Sequence, residues 1–152
     1  MKRWSMMLGC GLLCACLVGC GGEAKEPFDP ESTAQSLLDA PGVFTETLER
    51  LDPAMAAGEY GLETLEGTEL VCYYSPGGTA EEITVAACES EDAARAFETA
   101  AQGHIADQKE ANETYRPAEL PKLEKAVVER RGCTVLVLVC ADYEVAQAAL
   151  DG

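Results

Sequence analysis

The sequence predicts an α+β domain built on a mostly antiparallel sheet of about four strands, with helices before, between and after two hairpins. Three observations support this class. Two pairs of β-type runs each enclose a glycine-containing turn, a long helical pattern separates the pairs, and helix start signals stand at both ends of the domain.

Three helical pieces are predicted before the first hairpin. The first begins at residues 29–31, where an aspartate and a proline precede an acidic first turn, and it ends at residues 41–42, Pro-Gly. Apolar spacing predicts a second piece over residues 43–51. A second Asp-Pro pair at residues 52–53 opens a short third helix, which Gly58 ends.

Two hairpins follow from the β-type runs. The first joins residues 69–74 to residues 82–88 around the turn Ser-Pro-Gly-Gly. The second joins residues 126–129 to residues 133–140 around Arg-Arg-Gly. Its last strand is apolar on both faces, which is typical of a strand that is central or covered on each side.

A long helix between the hairpins begins after the cap residue Ser90 and is expected to run to about Asn112. One face of it carries mostly apolar side chains at helical spacing. The members of that face are Ala93, Phe97, Ala100, Ala101, His104, Ile105 and Gln108. Asp142 caps a final helix after the second hairpin.

The first nineteen residues have the three parts of an export signal: a basic start, an apolar stretch and a small residue at the break. The apolar stretch of roughly 13 residues is about 20 Å long as a helix, against the ~30 Å hydrocarbon core of a bilayer, so it is too short to span stably. The quartet Leu-Val-Gly-Cys that ends at Cys20 resembles the lipobox of bacterial lipoproteins. That resemblance implies cleavage between Gly19 and Cys20 and a diacylglycerol on the Cys20 thiol.

Two other readings of the same region stay open: an ordinary secretory signal, and an uncleaved anchor. Cys10 and Cys16 also follow small residues, but cleavage there would leave apolar residues on the mature end. The expected organisation is a signal peptide over 1–19, a flexible tether over 20–30, and one α+β domain over 31–152. Acyl chains on Cys20 would hold the domain on the extracytoplasmic face of the cell membrane.

The formal net charge is −16, and Lys2 and Arg3 contribute +2, so a chain that begins at Cys20 carries −18. This charge opposes approach to nucleic acid, and no nucleic-acid partner is expected. The acidic residues form either a solvated surface or an attractor for cations or a basic partner. Basic residues concentrate between residues 109 and 131, where they either pair with the domain's own acids or dock something anionic.

Four cysteines lie beyond the signal: Cys72, Cys88, Cys133 and Cys140. The last two fall seven residues apart in one apparent strand, on opposite faces, so they cannot bond to each other there. Three states remain open for the four. They are buried reduced thiols, one disulfide between different strands, or a metal or catalytic role.

The residues that could support chemistry are few. His104 is the single histidine, so a histidine-based triad or a two-histidine metal site finds no second partner. Glu81 and Glu82 are adjacent at the start of a predicted strand, where side chains alternate, so they cannot act together on one bond. We therefore expect a protein that is not an enzyme and has no cofactor and no metal.

Tyrosines are the candidate contact residues, because a phenol ring offers both area and a hydroxyl group. The candidates are Tyr73, Tyr74 and Tyr115. Since Tyr73 and Tyr74 are neighbours in a strand, they must point to opposite faces of the sheet.

Several short segments, taken in order, resemble one family. They include Tyr-Gly-Leu at residues 60–62, Ala-Glu-Glu-Ile at 80–83, Tyr-Arg-Pro-Ala-Glu-Leu at 115–120, and Lys-Leu-Glu-Lys-Ala-Val-Val at 122–128. The resemblance is to small Gram-positive lipoproteins catalogued as a domain of unknown function (DUF4358-like). It implies a surface lipoprotein of this fold and carries no activity with it.

The expected function is therefore a membrane-anchored, non-catalytic binding or adaptor module with an unidentified protein partner in the cell envelope. The alternatives are an envelope hydrolase or other enzyme with an unrecognised site, and a purely structural role in the envelope. A pocket lined by titratable groups would favour the enzyme, whereas a flat patch with exposed tyrosine would favour the adaptor.

Overall fold

The computed structural model describes residues 25–63 and 66–152. In that part of the chain, helices flank one antiparallel sheet of five strands, in the order β1-β2-β3-β5-β4. The α+β class is confirmed, with five strands rather than four. The helices are α1 (Pro30–Asp39), α2 (Pro53–Glu59), α3 (Glu91–Tyr115), α4 (Leu120–Glu124) and α5 (Tyr143–Asp151), and a 3-10 turn (Pro117–Glu119) precedes α4. The strands are β1 (Glu49–Arg50), β2 (Thr68–Tyr74), β3 (Glu82–Cys88), β4 (Val127–Arg131) and β5 (Thr134–Val139).

The prediction of a helical piece over residues 43–51 is wrong. These residues form a loop that leads into β1, and β1 pairs with the end of β2. Val43 in this loop is buried, and its carbonyl oxygen accepts a hydrogen bond from the Ala141 amide at 2.8 Å. Distant parts of the chain thus satisfy the loop's backbone, and that tertiary bonding outweighs a weak helical spacing of apolar residues.

Both predicted hairpins are confirmed. β2 and β3 pair along their whole length, and β4 pairs with β5. β5 lies between β3 and β4, and all six of its residues are buried, as its apolar faces predict. The strand is shorter than predicted, so Cys133 and Cys140 flank it rather than lie within it.

Helices cover both faces of the sheet and divide the core in two. On one face, α2 and α3 pack on alternate residues of the central strands. On the other face, α1 and α5 pack on the residues between them. The first core includes Ala56, Phe97, Ala101, Ile105, Cys72, Ala86 and Val137. The second includes Ala34, Leu37, Ala146, Val71, Ile83, Leu136 and Leu138.

The long helix α3 begins where the sequence predicts and ends at Tyr115, three residues beyond the predicted end. The Ser90 hydroxyl accepts a hydrogen bond from the Ala93 amide at 3.1 Å and caps the helix. The buried face of α3 differs in part from the predicted one, because Ala93, Ala100 and Gln108 are only half-buried while Ala94 is buried.

The end of the predicted tether packs against the domain. Phe28 is 5% exposed, and its amide donates to Thr134 Oγ1 at 2.9 Å. The signal peptide, Gly19 and Cys20 lie outside the described residues. Among the helices of the described part, none is long and apolar enough to cross a bilayer.

Candidate functional site

Two buried carboxylates stand side by side at the start of β3. Glu81 is fully buried and Glu82 is 2% exposed. A carboxylate is rarely buried unless it is paired, so each position calls for an account of its partners. The two side chains point to opposite faces of the sheet, as the alternation of a strand predicts.

Glu81 is held from two sides. The Thr45 amide donates to both of its carboxylate oxygens, at 3.1 and 3.0 Å, and the Thr45 hydroxyl donates at 2.9 Å. On the other side the Lys122 ammonium lies 3.1 Å from Oε1. Each oxygen of Glu81 therefore has a partner, and the loop before β1 is fastened to the sheet through it.

Lys122 links Glu81 to a second carboxylate. Its ammonium group lies 3.0 Å from Glu119 Oε2, and the same oxygen accepts the Ala80 amide at 2.9 Å. Burial alone would lower the pKa of Lys122, but the hydrogen bonds and charges of Glu119 and Glu81 outweigh it and raise that pKa. Lys122 therefore stays charged and holds α4 against the start of β3.

The turn between β2 and β3 is fixed by its own side chains. Ser75 Oγ accepts from the Gly78 and Thr79 amides at 3.2 and 2.9 Å and donates to Glu46. The hydrogen bond from Ser75 is the main reason that the pKa of Glu46 is lowered. Arg116 Nη1 donates to the Gly77 carbonyl at 3.2 Å and joins the turn to the end of α3.

Glu82 pairs with the single histidine. His104 Nε2 lies 3.0 Å from Glu82 Oε2, and His104 Nδ1 lies 3.2 Å from the Glu59 carbonyl oxygen. Both ring nitrogens face an acceptor, an arrangement that the doubly protonated imidazolium satisfies and a neutral ring does not. Burial works to lower the pKa of His104, but the hydrogen bond and charge of Glu82, followed by the Glu59 carbonyl, raise it.

Aromatic rings enclose this pair. The ring of Tyr60 lies 4.7 Å from that of His104, and the ring of Tyr74 lies 6.3 Å away in an edge-on arrangement. The Tyr74 hydroxyl is 3.4 Å from His104 Nε2. Burial and the charge of Glu82 raise the pKa of Tyr74, so its hydroxyl keeps its proton.

A cleft of about 260 Å³ opens between the β2–β3 turn and the second half of α3, and Glu82 lines it. Two buried polar atoms of its lining, Glu82 Oε1 and Arg116 Nε, have no hydrogen-bond partner among the described residues. Larger grooves run along residues 38–48 (about 480 Å³) and beside the β4–β5 turn (about 350 Å³), but no buried charged side chain lines either. The cleft is lined by Leu51, Glu59, Tyr74, Ser75, Gly77, Thr79, Ala80, Glu82, Gln108 and Arg116.

The three tyrosines predicted as contact residues do not come together. Tyr74 lines the cleft, whereas Tyr73 lies half-buried on the other face of the sheet, with the Arg50 guanidinium 5.7 Å from its ring. Tyr115 is 87% exposed at the end of α3. Sequence reasoning missed Arg116 and Glu59 as cleft residues, since only the packing of α2 on β2 and of α3 on β3 brings them to the same cleft as Glu82.

The four cysteines are thiols in this structure. Cys72 Sγ lies 2.9 Å from Thr84 Oγ1, and burial raises the pKa of Cys72 and of Cys140 to about 12. Cys88 and Cys133 stand opposite each other, and the Cys88 amide donates to the Cys133 carbonyl at 2.9 Å. In the described part of the chain, no group of three histidine, cysteine or acidic side chains is placed to hold a metal ion.

These features define a class of protein: a small α+β domain whose antiparallel sheet is covered on both faces and carries a polar cleft at one end. The chain belongs to the family described as Domain of unknown function (DUF4358), whose sequence model matches residues 42–140. The matched region contains all five described strands and every residue of the cleft, while α1 and α5 lie outside it. No curated protein and no solved structure matches the chain.

Proposed function

We propose that this protein is a lipoprotein anchored on the extracytoplasmic face of the cell membrane, and that its domain is a non-catalytic binding module. The ligand, or a side chain of an envelope partner, enters the cleft beside Glu82. One observation carries the proposal. Two buried polar atoms of the cleft, Glu82 Oε1 and Arg116 Nε, lack partners, although a buried polar atom left unpaired costs about 1–3 kcal/mol.

The chemistry of those two atoms indicates what the cleft accepts. A carboxylate oxygen requires a hydrogen-bond donor, and the Nε of a guanidinium group requires an acceptor. A suitable ligand or partner group therefore carries both. The cations His104 and Arg116 balance the carboxylates Glu59 and Glu82 at the cleft, so the ligand need not carry a net charge.

The surroundings of the candidate catalytic groups favour binding over hydrolysis. Both nitrogens of His104 are already engaged, so the ring can act as a base only after it leaves Glu82 or the Glu59 carbonyl. The Ser75 hydroxyl donates to Glu46, and neither nitrogen of His104 is its partner. The thiol of Cys72 keeps its proton, because burial raises its pKa to about 12.

The lipid anchor is supported by the lipobox-like quartet that ends at Cys20. Replacing Cys20 with alanine is expected to release the protein from the membrane fraction or to leave an uncleaved precursor, because the thiol that receives the diacylglycerol is gone. Cys16→Ala is the matched control and should leave the protein membrane-bound. Fractionation and intact-mass measurement decide the matter; if Cys16→Ala releases the protein and Cys20→Ala does not, the anchor is misassigned.

The binding role is tested by crosslinking on intact cells. The wild-type protein should capture a partner or ligand that both Glu82→Gln and Arg116→Gln lose at least several-fold. Glu110→Gln, at an exposed position of α3, is the control and should capture as the wild type does. Equal capture by all four proteins would place binding elsewhere and overturn the role of the cleft.

A further inference from the structure

The chain enters the folded domain at one defined end of the sheet. Arg131 lies 3.9 Å from the ring of Phe28, and its Nη1 donates to the Glu26 carbonyl at 3.3 Å. The Lys25 ammonium lies 2.9 Å from Glu129 Oε1. Together with the hydrogen bond from the Phe28 amide to Thr134, these contacts fasten residues 25–28 to the turn between β4 and β5. We call this end of the domain the entry end; it comprises residues 25–28 and 129–134.

Little chain separates the entry end from the anchor. Cys20 precedes Lys25 by five residues, which span at most about 18 Å when fully extended. A longer tether would let the domain turn freely, but a span of this size is comparable to half the diameter of the domain itself. The entry end therefore has to stay near the acyl chains.

The cleft lies at the opposite end of the sheet. Thr134, which holds Phe28, is paired with Ala87 near the end of β3, whereas Glu82 at the start of β3 is paired with Val139. Five residues of extended strand separate these positions, a distance of about 17 Å. Helix α3 begins just after the end of β3 and runs back towards the cleft, where Arg116, the residue that follows its last turn, lines the wall.

Charge favours the same orientation. The chain from Cys20 onward carries a net charge of −18, so most of its surface is repelled by anionic headgroups. The entry end carries three cations, Lys25, Arg130 and Arg131, and two carboxylates, Glu26 and Glu129, so its own net charge is +1. Arg131 and Lys25 pair with Glu129, and Arg130 pairs with Glu98, so this end is less repelled than the acidic remainder without being strongly attracted.

We propose that the entry end faces the phosphate groups of the bilayer and that the cleft faces away from it, open to whatever lies beyond the membrane. The inference rests on the lipid at Cys20 that the proposed function assigns. It gives the short tether a purpose: the tether fixes the direction in which the binding site is displayed.

The test uses the absence of tryptophan from the mature sequence, whose single tryptophan, Trp4, lies in the signal peptide. Glu89→Trp introduces a reporter at an exposed position just beyond the end of β3, on the side of the entry end. Tyr115→Trp introduces one at a position that is 87% exposed beside the cleft. Each lipidated variant is placed in phosphatidylcholine vesicles that contain a lipid with a dansyl headgroup, and energy transfer from the tryptophan is measured.

Transfer from the Glu89→Trp reporter is expected to exceed transfer from the Tyr115→Trp reporter at least two-fold. Equal transfer, or greater transfer from the Tyr115→Trp reporter, would overturn the orientation while the anchor stands. If the lipidated protein fails to bind vesicles any better than its Cys20→Ala form, the anchor itself fails, and the orientation fails with it.

Discussion

Glu81 and Glu82 are neighbours in the chain, both carboxylates and both buried, yet the structure uses them differently. Glu81 accepts three hydrogen bonds from Thr45 and pairs with Lys122. Glu82, which lines the cleft, has one close partner, His104, and its other oxygen is buried without a hydrogen-bond partner among the described residues. A fully partnered carboxylate holds the fold together, whereas a partly partnered one retains capacity for a ligand.

The difference follows from what covers each face of the sheet. On the face of Glu81, a loop and α4 supply donors that close around the carboxylate, and one of them is a backbone amide that cannot turn away. On the face of Glu82, the end of α2, the β2–β3 turn and the second half of α3 line a cleft instead of closing around the carboxylate. One sequence step along β3 thus separates a structural site from a candidate binding site.

The largest expected effect is the contrast between Glu81→Gln and Glu82→Gln. In Glu81→Gln the new NH2 group points at hydrogen-bond donors, either the Thr45 amide and hydroxyl or the Lys122 ammonium, and cannot bond to them. We therefore expect the free energy of unfolding to fall by about 3 kcal/mol. In Glu82→Gln the amide can donate to Nε2 of a neutral His104 while Nδ1 still donates to Glu59, so a loss of about 1 kcal/mol is expected.

Both losses are measured by chemical denaturation, with the same m-value used for all variants. Glu110→Gln, at an exposed position, serves as the control and should remain within about 0.5 kcal/mol of the wild type. If Glu82→Gln proves as costly as Glu81→Gln, the two sites do not differ in the way their hydrogen bonds indicate.

A second prediction concerns pH and isolates the Glu82–His104 pair. The pKa of His104 is raised above its ordinary value of 6.5 in the folded protein. The stability that the pair contributes is therefore fully present below about pH 6.5 and is lost as the pH rises through the folded-state pKa. Each unit by which the folded-state pKa exceeds the unfolded value corresponds to about 1.4 kcal/mol of stability. Glu82→Gln should lack this component.

The free energy of unfolding of both proteins is measured from about pH 5 to about pH 9, and the difference between them is compared. The ring protons of His104 give a direct check by NMR, because the chain contains one histidine. A difference that grows with rising pH, or a His104 that titrates below 6.5, would contradict the imidazolium–carboxylate pair.

Much of the fold could be predicted from sequence because local signals agree with it. Ser90 and Asp142 mark helix starts by their capping oxygens, and the apolar faces of residues 134–139 mark a central strand. The helix predicted over residues 43–51 is wrong because only the spacing of their apolar residues is helical. The hydrogen bonds that hold this loop come from Glu81 and Ala141, far along the chain. Local patterns carry no record of such partners.

The candidate site was predictable only in part. Strand alternation alone placed Glu81 and Glu82 on opposite faces, and it placed Tyr73 and Tyr74 likewise. His104 was assigned to an apolar helix face, and it does lie there, but its bond to Glu82 depends on the packing of α3 against β3. Arg116 reads as a residue in a helix-ending segment, and nothing in its neighbourhood signals a cleft.

The smallest expected effect on the free energy of unfolding comes from removing one tyrosine hydroxyl group on each face of the sheet. Tyr143, on the Glu81 face, donates to the Lys122 carbonyl at 2.8 Å and accepts the Cys140 amide at 3.3 Å. Tyr143→Phe should therefore cost about 1 kcal/mol of unfolding free energy. Tyr74, on the Glu82 face, lies 3.4 Å from a nitrogen already bonded to Glu82, so Tyr74→Phe should cost less than about 0.5 kcal/mol.

The same pair of variants separates stability from binding. Because Tyr74 lines the cleft, Tyr74→Phe should reduce capture in the crosslinking experiment despite its small effect on folding. Tyr143→Phe should reduce folding stability and leave capture unchanged at temperatures where the domain stays folded. The opposite result would be that both substitutions reduce stability equally and neither changes capture. In that case the face of Glu82 is as fully structural as the face of Glu81, and the unpartnered oxygen of Glu82 does not bind a ligand.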